Sequence, residues 1–169
     1  MKRIFTLSII VLLLSGCGLY NLSNFTLPND LEFLAVVNEL DTPEKICSYM
    51  EENFTYEYHS LYAFDPYILW KIKKGDCNDF ATFGTFIANH HGYEVYQVFI
   101  YFKKTLVSHI IAVYVENGKY NYSSNTQYLP INFSTFKEVV EHYDKFDYTY
   151  EVKNYKVYDY EMNLIEGDN

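Results

Sequence analysis

Basic residues are scarce. The 169-residue chain carries 13 Lys and Arg against 22 Asp and Glu. That balance gives no electrostatic hold on nucleic acid or on an anionic membrane surface. Glycine is scarce as well, with seven residues spread along the chain and no phosphate-cradling loop among them. Cysteine is limited to Cys17, Cys47 and Cys77, and neither these nor His90-His91 have the spacing of a metal site. No cofactor or metal is expected. The apolar run Ile4 to Leu14 is only eleven residues, too short for an ordinary membrane span. There is no internal repeat. Aromatics, by contrast, reach 20%, with 19 tyrosines. Tyr, Phe, Asn, Ile and Lys are raised together, which reads as compositional drift rather than a sugar-binding surface. The length suits one domain with a full core.

The N-terminus reads as a targeting segment. Lys2 and Arg3 precede the apolar run, and Leu14-Ser15-Gly16-Cys17 follows it. A charged start, a short apolar stretch and small residues describe a secretory signal peptide over residues 1–16. The ending resembles a bacterial lipobox. That resemblance implies cleavage before Cys17, acylation of Cys17 by palmitate-like chains, and a membrane anchor on the extracytoplasmic face. Loss of residues 1–16 leaves eleven basic against 22 acidic residues, a formal charge of −11. Residues 17–29 read as the lipidated cysteine and its tether, 30–165 as the domain, and 166–169 as a fraying tail. With Cys17 acylated, Cys47 and Cys77 could pair in an oxidising compartment. Cys47 sits mid-helix beside Ile46 and Met50, where a buried free thiol is the expected state.

Along the domain, helices come first. Asp30 caps a helix over 31–40, and Thr42-Pro43-Glu44 opens a second that runs to about Asn53. Phe54 to His59 suits a short extended piece, and Asp65-Pro66 starts a third helix. Asp76 and Gly92 bound a fourth, carrying a small stripe of Cys77, Ala81, Gly84 and Ala88 and an apolar stripe of Phe80, Phe83 and Ile87. The period then changes to two. Strands are expected over 93–102, 106–116 and 119–126, then a helix from Thr135 with a Thr135/Glu138 capping box, then one or two strands in 146–160. The fold class is α+β, with the buried Cys-bearing helix packed on an antiparallel sheet.

Cys77 falls in the first turn of that helix, where partial positive charge favours thiolate over thiol. Asp76 and Asp79 oppose this by like-charge repulsion. A thiolate nucleophile needs an imidazole and a group that orients it. His109, in the run Val107 to Val113, is the candidate base. The orienting group depends on the next hairpin. With a three-residue loop Glu116-Asn117-Gly118, His109 lies opposite Asn125; with a two-residue turn, Ser124 or Thr126 is the neighbour. The three-residue loop is the favoured register, giving Cys77, His109 and Asn125. The Cys77 backbone N–H is one oxyanion donor, and Tyr56, Tyr62 and Trp70 are candidates for a second.

The stretch Gly75-Asp76-Cys77-Asn78-Asp79-Phe80-Ala81, followed by a helix and Gly92-Tyr93-Glu94-Val95, resembles the core of the transglutaminase-like superfamily within the papain-like cysteine enzymes. In that family a helix carries the nucleophile, a histidine opens a later strand, and an Asp or Asn ends the next. The resemblance covers roughly residues 43–130. It implies a papain-like fold, a protein or peptide substrate, and amide cleavage or transfer through a thioester. The chain departs from the family in having Asn125 where Asp is usual and Ile110-Ile111 after the histidine. A non-catalytic surface lipoprotein that keeps the fold for binding is the alternative.

Overall fold

The computed structural model describes residues 22–59, 62–147 and 150–167. The expected signal peptide and Cys17 lie outside these residues, as do Asp168 and Asn169. The expected tether is partly structured. Leu22, in a single 3-10 turn (Leu22–Asn24), is buried, and Phe25 meets Phe86 edge-on at 6.5 Å.

Among the described residues four α-helices precede the sheet. Helix α1 (Leu31–Glu39) is capped by Asp30, whose carboxylate accepts from the N–H groups of Glu32 and Phe33. Helix α2 (Pro43–Asn53) is capped by Thr42. Strand β1 (Thr55–Tyr56) pairs in parallel with β2 (Lys74–Gly75), and α3 (Pro66–Ile72) lies between them. Helix α4 (Cys77–His90) follows β2 at once, and Gly92 turns the chain at φ 82°.

The sheet has six antiparallel strands in the order β6-β5-β4-β3-β7-β8. These are β3 (Val95–Phe102), β4 (Ser108–Glu116), β5 (Lys119–Ser124), β6 (Gln127–Phe133), β7 (Val152–Tyr158) and β8 (Leu164–Gly167). Helix α5 (Phe136–Phe146) joins β6 to β7 and carries the expected Thr135/Glu138 capping box. Alternation along the strands builds two cores. Phe99, Ile110, Ala112 and Tyr114 face the Phe80, Phe83 and Ile87 side of α4. Ile100, Ile111, Val113 and Tyr122 face Val139, Val140 and Tyr143 of α5.

The small stripe of α4 works as expected. Gly84 lies against the hydroxyl of Tyr114, so the helix sits close to β4. Among the described residues no helix is long and apolar enough to cross a membrane.

Three features depart from the sequence reading. Strand β6 has no counterpart in the sequence reading; Pro130 lies inside it and is tolerated because β6 is an edge strand. Strand β8 carries Glu166 and Gly167 into the sheet, past the expected end of the domain. The β4–β5 hairpin uses the two-residue turn, with Glu116 opposite Lys119 and Asn117 and Gly118 at φ 54° and 72°. Two successive positive φ values match the right-handed strand twist, which the three-residue loop would not have needed.

Candidate active site

The N-terminus of α4 is fixed by a reciprocal cap. Asp76 Oδ1 accepts from the N–H of Asn78 at 3.0 Å, and Asp79 Oδ2 accepts from the N–H of Asp76 at 2.7 Å. Gly75 makes this possible. A Cβ there would stand 2.7 Å from the Cβ of Asp79, so any side chain would push the carboxylate away. Asp79 is fully buried. Its Oδ1 also accepts from the N–H of Phe64 at 2.7 Å, and its Oδ2 from His59 Nε2 at 2.6 Å. These bonds tie the segment before α3 onto the head of α4.

His59 is a residue that the sequence reading missed. Ligand atoms of His59, Asp76 and Asp79 lie within 4.8 Å of one another, close enough for a cation. Both Asp79 oxygens already hold hydrogen bonds, and the His59 ring stacks on Phe64 at 4.4 Å. The group is therefore a closed hydrogen-bonded set. The signal in sequence was Asp79 itself: a carboxylate on the buried side of an apolar helix needs donors from elsewhere.

Cys77 begins the helix just described. It is a partly buried free thiol, and the nearby backbone N–H groups of Ile110 and Asn78 favour the charged form of its sulfur. As the first helical residue, its own N–H has no intrahelical acceptor. Burial pushes the thiol up to about 11, and the charges of Asp76 and Asp79 add to the rise against the two amides. The expected thiolate is thus reversed: desolvation outweighs the helix N-terminus.

His109 stands near the start of β4, opposite Ile100 of β3. Its Nε2 is hydrogen-bonded to Ser124 Oγ at 3.0 Å, and its ring stacks on Tyr143 at 5.4 Å with planes 15° apart. Burial holds the imidazole down at about 4, with the charge of Asp147 acting in the opposite sense. Among the described residues, Nδ1 has no hydrogen-bond partner.

Cys77 and His109 meet at the same end of β4, where the Cys77 charge acts on Tyr143, the ring that stacks on His109. Strand alternation sends His109 to the α5 side with Ile111 and Val113, whereas α4 covers the Ile110 side. The N–H of Ile110, the residue after His109, favours a charged sulfur there, where β5 has already left the edge of β4 after Ser124. Among the described residues no hydrogen bond joins the sulfur to the imidazole.

Asn125 does not take the orienting place. Under the two-residue register that place goes to Ser124, and Asn125 becomes the first turn residue after β5, at φ 51°. Its Oδ1 is buried without a hydrogen-bond partner. Cys47 is free and buried; its sulfur lies 4.0 Å from the Tyr114 hydroxyl, and burial raises it to about 12. There is no Cys47–Cys77 bond. Of the proposed oxyanion donors, Trp70 is excluded, because its indole N–H bonds the Tyr49 hydroxyl at 2.9 Å. Tyr56 is half exposed, packs edge-on against Phe80 at 6.3 Å, and lies within the field of Cys77.

No family model matches the chain, and no curated protein matches it. Among solved structures it is similar to Legionella pneumophila LapG. The TM-score is 0.46 at 17% identity, and the match covers 56% of this chain and 62% of LapG. At that level the similarity carries no inference about this chain, and its chemistry rests on its own residues.

Proposed function

We propose that the protein is a thiol acyl-transfer enzyme acting on peptide or amide bonds, with Cys77 as nucleophile and His109 as base. The observation that carries this is that both groups lie against Tyr143, whose ring stacks on His109 at 5.4 Å and feels the Cys77 charge, together with an imidazole whose Nδ1 has no partner among the described residues. His109 works as the Nε2–H tautomer, donating to Ser124 Oγ and keeping the Nδ1 lone pair for the thiol proton.

The resting pair is neutral. Moving a proton from a thiol at about 11 to an imidazole at about 4 costs on the order of 10 kcal/mol before the two charges attract. Proton transfer therefore accompanies attack rather than preceding it. Nδ1 takes the S–H proton as the Cys77 sulfur bonds the carbonyl carbon. The Cys77 N–H and the Tyr56 hydroxyl receive the developing oxyanion. Collapse breaks the C–N bond, and the imidazolium returns its proton to the leaving amine. Water then attacks the thioester, losing a proton to Nδ1, and the acid leaves as the sulfur regains that proton.

One observation favours a second reading, a binding module that keeps the fold without turnover. The partner of His109 Nε2 is a neutral hydroxyl, which cannot stabilise an imidazolium as a carboxylate does. An activated acyl ester separates the two. The enzyme forms a thioester on Cys77, seen as an intact-mass adduct, and His109→Ala abolishes it while the fold is retained. A wild-type protein that never acquires the adduct is the binding module.

The site would work outside the cytoplasm, held to the membrane by acyl chains on Cys17. This rests on the Lys2 to Cys17 pattern. Membrane-extracted protein should lack residues 1–16 and carry the mass of its lipids, and Cys17→Ala should remove both changes. An unprocessed N-terminus would end this reading.

A further inference from the structure

A carboxylate does stand near His109, but on α5 rather than on the neighbouring strand. Tyr143 lies flat on the imidazole at 5.4 Å, and its hydroxyl donates to Asp147 Oδ2 at 3.2 Å. Tyr143 is itself buried. Its ring is thus gripped at one end by the Asp147 carboxylate and on one face by His109. Among the described residues no other charge is found to act on the imidazole. Ile100 lies opposite on β3, Ser124 bonds from β5, and the α4 side offers the neutral Cys77 at the N–H of Ile110.

We infer that Asp147 is the positioning residue of His109, acting through Tyr143, so that the two tasks of the usual third group are divided. Ser124 fixes the orientation of the ring through Nε2. Asp147 holds the Tyr143 face against it and supplies the negative charge that favours the imidazolium. Asp147 has the sense of charge needed for this, since its charge acts on His109 against its burial. The inference rests on the reading of His109 as the base. No covalent step is added, since Asp147 neither gives nor takes a proton.

The test is a ring-proton NMR titration of His109 in the full folded domain, compared with Asp147→Asn and Tyr143→Phe. In the wild type the ring should titrate near pH 4. Asp147→Asn should move that midpoint down by about half a pH unit or more. Tyr143→Phe, which keeps the stacked ring but loses the hydroxyl, should move it in the same direction by less. Under the enzyme reading, Asp147→Asn should also lower kcat about tenfold with KM unchanged. Unchanged His109 titration in Asp147→Asn overturns the inference, whether or not the protein turns over substrate. A shifted titration in a protein without turnover removes the enzyme reading and leaves the Asp147–Tyr143–His109 link standing. Should Asp147→Asn fail to fold, the Tyr143→Phe titration decides alone, a shift supporting the link and no shift ending it.

Discussion

His109 Nε2 is hydrogen-bonded to Ser124 Oγ at 3.0 Å, and the adjacent Asn125 turns away in a left-handed conformation with its Oδ1 buried and unpaired. One residue of hairpin register decides between them. The two positions therefore answer differently to substitution. Ser124→Ala should lower kcat about tenfold by freeing the imidazole, whereas Asn125→Gly should leave kcat intact. Asn125→Gly should also raise stability by about 1 kcal/mol, because it removes an unsatisfied acceptor and relieves the positive φ. Steady-state kinetics with thermal melts would check this, and loss of activity in Asn125→Gly would sink it.

The reactivity of Cys77 should follow a high thiol pKa. Alkylation by iodoacetamide should be slow at neutral pH and climb about tenfold per pH unit toward 11, since only the thiolate reacts. Cys47, buried and held at about 12, should stay unlabelled in the folded protein. A rate already high and flat between pH 5 and 8 would reveal a standing thiolate–imidazolium pair, contrary to this account.

His109 should make the fold acid-sensitive. Its folded value of about 4 lies below the ordinary 6.5, so below 6.5 the unfolded chain binds the proton first. Stability is intact above pH 6.5 and falls as pH drops toward 4, by up to about 3 kcal/mol from this group. Urea unfolding at pH 7, 5 and 4 should show the loss, and His109→Gln should show about that much less of it. Equal pH dependence in the two proteins would exclude His109 as the cause.

Asp79 should be the costliest polar residue at the site to change. Asp79→Asn weakens the bonds to Asp76 N–H, Phe64 N–H and His59 together. A loss of about 3 kcal/mol is expected, with faster proteolysis of the segment before α3. A melting temperature within a degree of the wild type would contradict this role.

Gly84 and Tyr114 should be coupled. A methyl at Gly84 collides with the Tyr114 hydroxyl but stands 3.6 Å from the ring carbon beneath it. Gly84→Ala should cost about 2 kcal/mol, and adding Tyr114→Phe should recover much of that. Additive losses in the double-mutant cycle would show that the close approach is not set by this pair.

Local chemistry made most elements legible. Asp30, Thr42, Asp76 and Thr135 each cap the helix they were expected to start, because a cap needs only residues a few positions apart. The change from helical to alternating pattern marked the sheet, and the small stripe on α4 foretold its close packing. Residues 1–21 were read from sequence pattern alone.

Long-range geometry set the rest. Whether Ser124 or Asn125 meets His109 turns on a one-residue register, and the three-residue loop favoured from sequence is not the one the hairpin adopts. The thiol of Cys77 was expected low from its helix position and is high, because desolvation comes from elements distant in the chain. His59 joins Asp79 across twenty positions, and Asp147 reaches His109 only after α5 crosses the sheet. The sequence by itself determined where helices begin, which faces are apolar and which residues can do thiol chemistry, since these depend on neighbours along the chain. Only the tertiary structure decided which partners those residues meet and in what protonation state, since burial and charge act through space.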